Sequence, residues 1–369
     1  TARAPPAGAR RAQPPARRGR AAGAWPARLS GLDFLDELIR SGDFTDIKIN
    51  ADGRVWTRAK GVVNFRPQPD LNPDPVMVER MANALLAPML RACTEATPSV
   101  DAKIPRGGRY GGARVKVLHP VICGGRSHHI DIRLFEPKPV DPQQILDWGM
   151  CPKPVLDFLL QAVREDRRIM ISGGTGTGKT TLLSALLKAL PPAACVVKIE
   201  DPEEIWLQHP NVETLERRPA PPGSATPPYE VDNAVDDAMR MSPSHLIVGE
   251  VRTGQAAFAL FRALMSDHAG GTTFHASSAH DALGRLGLIM FADKGVAMHA
   301  GRQITLSAID LIVQIGIRDG VRRILNIHEL RHPRDRKQGD GDLLPLWHLG
   351  EDPERMPPIR RQRDGTAPT

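Results

Sequence analysis

The chain has 369 residues, 41% apolar and 25% charged, a balance that suits a soluble globular protein of two domains and excludes a fibrous or wholly disordered one. Its formal charge of +7 suggests a nucleic-acid binder until it is located: residues 1–28 hold seven arginines and no acid, so the rest of the chain is balanced and gives no compositional support for a DNA-binding face. Four cysteines, spaced 30, 28 and 44 residues apart, match neither a paired-thiol zinc site nor a disulfide framework, and they read as reduced thiols of the cytoplasm.

In chain order, the Ala/Pro/Arg-rich residues 1–28 lack the apolar core of a secretory signal and read as a disordered basic arm. Ser30 and Asp33 then resemble a helix start, followed by the apolar stripe Leu32, Leu35, Leu38 and Ile39 and a stop at Gly42. Ile47 and Ile49 alternate with polar neighbours, turn residues 50–53 follow, and Val55 and Thr57 resume a strand, which predicts a hairpin. A helix is expected from about Val76 to Cys93, then alternating strands over 114–118 and 130–134. These elements make a smaller α+β N-terminal domain, residues 29–137, with the proline-rich 138–142 as its linker.

From Gln143 helices alternate with short, wholly apolar strands at 169–172, 196–200, 246–249, 272–275 and 309–315. That rhythm predicts an α/β domain over 143–333, a mostly parallel sheet covered on both faces, with its ligand crevice at the strands' C-terminal ends. Residues 334–369 read as a polar, partly disordered tail, in which Leu343 to Trp347 can dock as a last strand. No apolar run approaches the roughly 18 residues of a membrane helix, so membrane contact is expected to be peripheral.

The first of these strands runs into Gly173-Gly174-Thr175-Gly176-Thr177-Gly178-Lys179-Thr180, followed by Thr181 and a helix. This is the phosphate-binding pattern G-x-x-x-x-G-K-[ST] in its strand-to-helix setting. The glycines let backbone N–H groups converge on one anion at a helix N-terminus, Lys179 is placed for the β/γ-phosphates, and Thr180 for Mg²⁺. Hydrolysis also needs carboxylates. Glu250, at the end of its strand, is the candidate to position water. Gly249 stands where a metal-side aspartate is usual, so Glu200, Asp201, Glu203 and Glu204, ending a second strand, are the acids available to supply that charge, with Glu200 and Asp201 as candidate metal-side ligands. In the segment 267–275, His275 and His268 are candidate phosphate sensors.

Segments 172–181, 199–205 (Ile-Glu-Asp-Pro-Glu-Glu-Ile), 238–243, 247–252 and 267–276 together resemble the Walker A, Asp-box, Walker B and His-box signatures of the secretion ATPase superfamily. Within it, segments 207–219 and 307–314 are most similar to the CpaF-type ATPases of tight-adherence pili, and next to type IV secretion ATPases. The paired C-x-x-C element of type II secretion ATPases is missing from the sequence. The resemblance spans about residues 30–332 and implies a RecA-like P-loop domain in a homohexameric motor that uses ATP and Mg²⁺. Such a motor works at the cytoplasmic side of an inner-membrane platform in pilus assembly or secretion, with no nucleic acid expected as partner. By the same match Lys179 and Thr180 bind phosphate and Mg²⁺, Glu250 is the catalytic glutamate, Glu204 serves the Asp box, and His268 and His275 form the His box. Arg133, and after it Arg114, resemble N-domain arginines that reach the phosphates. Arg252 is left between that role and an internal ion pair. The alternatives are a RecA-like nucleic-acid motor, supported by the basic arm alone, and a non-catalytic nucleotide-sensing scaffold.

Overall fold

The computed structural model describes residues 33–62, 64–106, 111–136, 138–220, 225–332 and 341–357. The basic arm, Ser30 and Leu32 lie outside the described residues. Helix α1 (Asp33–Arg40) precedes the hairpin of β1 (Phe44–Ile49) and β2 (Val55–Ala59) and the short β3 (Arg66–Pro67). The next helix, α2 (Pro75–Leu86), starts cleanly: Asp74 accepts a hydrogen bond from the Met77 N–H at 2.8 Å, with Pro75 in the first turn. It stops well before Cys93. Pro88 offers no N–H to continue the ladder, so the chain tightens into a 3₁₀ turn at Ala87–Met89 and leaves it through Leu90 at φ +54°. Strands β4 (Ser99–Ile104), β5 (Ala113–Leu118) and β6 (His129–Leu134) complete a six-stranded sheet in the order β3-β2-β1-β6-β5-β4. Its core is built from alternating inward residues such as Ile47, Ile49, Val115, Val117, Ile130 and Ile132, closed by Val78, Met81 and Leu85 of α2.

The second unit opens with α3 (Pro142–Asp147) and α4 (Lys153–Arg164), so the expected linker gives way to helix at Pro142, where Asp141 caps it. It continues with β7 (Ile169–Gly173), α5 (Lys179–Leu186), β8 (Val196–Glu200), β9 (Val212–Glu216), α6 (Val231–Ala238), β10 (His245–Val251), α7 (Gly254–Leu264), β11 (Ala269–Phe274), α8 (Ala279–Lys294) and α9 (Met298–Ala308). The chain then forms β12 (Leu311–Arg318), β13 (Val321–Leu330) and β14 (Leu343–His348). The eight-stranded sheet has the order β14-β13-β12-β7-β11-β10-β8-β9. From β12 to β9 every neighbouring pair is parallel, and β13 and β14 add an antiparallel edge. Both faces are covered, which is why the strands read as unbroken apolar runs: Ile169 and Ile171 point into the core under α4 and α5, and Met170 into the core under α6 to α9.

β14 pairs with β13 along the edge of this sheet, and Trp347, opposite Ile327, is 1% exposed. A Trp347→Ala change should therefore destabilise the protein by about 3–5 kcal/mol, the usual cost of emptying a large aromatic site. Chemical denaturation measures it; a loss under about 0.5 kcal/mol would mean that this strand is dispensable to the fold.

Candidate functional site

The end of β7 is shaped by close approach. A Cβ on Gly173 would sit 2.6 Å from the carbonyl oxygen of Ile315 on the adjoining strand, and Gly176 and Gly178 hold φ values of +73° and +96°. Thr177 ties the loop by donating to the Gly174 carbonyl at 2.8 Å. Lys179, the first residue of α5, turns its ammonium back onto the loop, 3.2 Å from the Gly173 oxygen and 3.0 Å from that of Gly174. Thr175, Gly176, Gly178, Lys179, Thr180 and Thr181 all line a cleft of about 320 Å³ between the two sheets. Eight bases and six acids line it, so its formal balance is positive and suits an anion.

Glu250 and His275 come from the ends of neighbouring parallel strands. Glu250 lies 2.6 Å from His275 Nε2 through one oxygen and 2.6 Å from Arg252 Nε through the other. The Lys179 ammonium is 3.3 Å from each nitrogen of the same imidazole. Burial, and then the nearby Lys179 charge, hold the His275 pKa below its ordinary value, so the ring is neutral at pH 7. With Nε2–H donated to Glu250, Nδ1 is left as the acceptor facing Lys179. Burial likewise lowers the Lys179 pKa, against the pull of Glu250 and then Glu204. Arg252 thus forms the internal ion pair, and its guanidinium also reaches to within 3.7 Å of Asp201.

The acidic segment divides its labour. Glu200 is 3% exposed, and one oxygen accepts the N–H groups of Glu204 and Ile205 at 3.0 and 2.9 Å while the other meets Lys198 at 3.2 Å. Burial raises its pKa, and its contacts hold the 201–205 turn in place. The glycine at 249 has a local reason: a Cβ there would lie 3.1 Å from Glu200 Cγ, so Glu200 covers the place where the usual aspartate would stand. Asp201 and Glu204 line the cleft, while Glu203 pairs with Lys198 at 3.0 Å and Lys103 at 3.1 Å.

Facing the phosphate loop, the six-stranded sheet presents one row of charges in register across five strands: Arg58, Asp46, Arg133, Arg114 and Lys103. Like charges directly opposite are unfavourable, which gives Asp46 its importance. Only 8% exposed, it meets Arg58 at 2.9 Å and 2.6 Å and Arg133 at 3.1 Å. Its pKa lies below the ordinary value: burial pushes it up, and the hydrogen bonds from Arg58 and Thr45 with the charges of Arg58 and Arg133 more than offset that. Next to this row, Arg106 lies between the rings of Phe135 and Trp206, 4.8 and 4.9 Å from their centroids, and donates to the Glu204 carbonyl at 2.6 Å.

Residues 45–319 match the family of type II/IV secretion system proteins. The chain belongs to that family. Among its relatives is a protein of Mycobacterium tuberculosis strain H37Rv named for conjugal transfer, 30% identical over 328 residues that cover 87% of this chain and 89% of the relative. The type IV secretion system protein PtlH of Bordetella pertussis is 28% identical over 333 residues, covering 82% and 96%. In fold it is similar to the Legionella pneumophila ATPase DotB, with a TM-score of 0.62 and 19% identity over 83% of each chain. The protein is a secretion-system ATPase with a RecA-like P-loop domain.

In this secretion ATPase the sequence-predicted residues do not all meet. Lys179, Thr180, Asp201, Glu204, Glu250, His275, Arg114 and Arg133 line one cleft. His268 does not. It precedes β11, whose first residue, Ala269, pairs with His245 at the far end of the sheet, and its Nδ1 contacts the Ala263 carbonyl at 2.9 Å. The length of β11, about 20 Å, separates it from His275. Of the two histidines expected as phosphate sensors, His275 lines this cleft and His268 lies away from it. Asp46, Arg58, Arg106 and Arg322 also line the cleft and belong to no sequence motif. The alternation of Asp46 with Ile47 and of Arg58 with Thr57 marks their face, but strand pairing alone identifies what that face meets.

Proposed function

We propose that this secretion ATPase is a Mg-ATP-driven motor, a homohexameric ring of the CpaF type that works from the cytoplasmic face of an inner-membrane platform to assemble a pilus or export a protein. The observation that carries the reading is the continuous contact Lys179–His275–Glu250–Arg252 facing a row of arginines on the other domain. The residues fit a nucleotide: the loop's N–H groups and Lys179 would hold its phosphates, with Arg133 and Arg114 offsetting charge from the opposite sheet. Mg²⁺, which binds through few protein ligands and several phosphate and water oxygens, would be held by Thr180 with Asp201 on the acidic side; bound there, it offsets charge on the phosphates. Glu200 fits that role less well, because one of its oxygens already serves the 201–205 turn and the other meets Lys198.

Glu250 is the residue to orient water, and His275 holds it while remaining neutral. Movement of Lys179 from its own carbonyls onto phosphate would loosen its hold on His275, which ties occupancy of the loop to the freedom of Glu250. A row of arginines held on a separate sheet gives hydrolysis a route to domain rotation. Among the described residues no helix is long and apolar enough to cross a membrane, which supports a peripheral place at the platform.

The experiment is the native mass of the Glu250→Gln protein with and without Mg-ATP. A hexamer that forms or tightens with ATP is expected. A monomer under both conditions, with ATP bound, would overturn the ring.

A further inference from the structure

Arg322, near the start of β13, has no part in the nucleotide reading so far. Its Nε donates to the carbonyl oxygen of Gly176, at the tip of the phosphate loop, at 2.9 Å. Its Cδ lies 3.5 Å from the place where a side chain on Gly178 would begin, so the arginine is laid along the loop. A guanidinium has five N–H donors, and this contact uses one. Among the described residues no carboxylate lies within ion-pair distance of it. Across the cleft stands Arg58, whose guanidinium is fixed by both oxygens of Asp46. The two cations feel each other: burial and then the Arg58 charge depress the Arg322 pKa, with Asp46 and Glu136 opposing more weakly. Both line the same cleft, one on each domain. Two forks held in place from opposite sides, with a like-charge penalty between them, make a site whose missing member is an anion.

We propose that Arg322 and Arg58 together clamp the phosphate chain of the bound nucleotide, Arg322 from β13 of the ATPase sheet and Arg58 from the N-terminal sheet. The inference rests on the nucleotide reading and adds to it a direct bridge between the domains. Asp46 is then a positioning residue, keeping Arg58 in place for a group that arrives later. The placement of Arg322 on β13, against the tip of the phosphate loop, then has a function.

The test is calorimetric titration of the full chain with ADP and with adenosine. The proteins compared are wild type, Arg58→Gln, Arg322→Gln, Arg322→Lys and the double Gln variant. Each single Gln change should weaken ADP by about tenfold and leave adenosine within about twofold. The double change should cost less than the product of the two, because the forks act on one group. Arg322→Lys keeps the charge and should recover part of the loss; it also serves if the Gln variant fails to fold. ADP binding unchanged in both Arg322 variants, or adenosine weakened as much as ADP, would overturn the clamp. Normal ADP binding by wild type and variants alike sinks the clamp alone, whereas a wild-type chain that binds no ADP sinks the nucleotide reading beneath it.

Discussion

Replacing Glu250 by glutamine should reduce ATP turnover by at least about a hundredfold while leaving ATP affinity within about threefold of wild type. The change is nearly isosteric. A glutamine oxygen can still accept the His275 Nε2–H, now found 2.6 Å from the carboxylate, so the imidazole keeps its orientation. What is lost is the charge that would orient and polarise water, together with the ion pair to Arg252. Arg252 has Asp201 in reach at 3.7 Å, so the vacated guanidinium has another carboxylate. Phosphate release and nucleotide affinity measured on the same preparation separate the effects. Turnover above about a tenth of wild type would remove Glu250 from the chemistry.

Lys179→Ala should act earlier, on binding. The ammonium rests on two carbonyl oxygens of its own loop and beside a neutral imidazole, contacts that a phosphate can replace with a full charge pair. Its removal should weaken ATP by about tenfold to a hundredfold and bring turnover to background. Stability gives the control. Burial disfavours the charged form of this lysine, so its removal should leave the melting temperature of the nucleotide-free protein within a few degrees or raise it. A large drop in melting temperature with ATP affinity unchanged would make Lys179 a structural residue.

Much of this site is legible in the sequence because its parts are local. The phosphate loop lies in one segment, and Glu250 and His275 stand at the ends of apolar strands whose parallel pairing brings such ends together. The motif containing His268 and His275 is continuous in sequence, yet a strand lies between its two histidines and carries them to opposite ends of the sheet. Glu200 and Asp201 are neighbours with similar chemistry and both border the cleft, but Glu200 is buried against Lys198 and the N–H groups of the following turn, whereas Asp201 is half-buried near Arg252. The partners of Asp46 lie 12 and 87 residues away, distances at which no periodicity speaks. β13 escapes notice because its arginines, asparagine and histidine interrupt the apolar alternation, and one of those arginines, Arg322, reaches the loop.

Mg-ATP hydrolysis by the wild-type chain, followed as phosphate release with and without EDTA, separates a motor from a passive nucleotide binder. Turnover should be abolished by EDTA and should fall at least about a hundredfold in Glu250→Gln. A wild-type rate no greater than that of the variant, with ATP demonstrably bound, would contradict the motor and leave the cleft a nucleotide sensor.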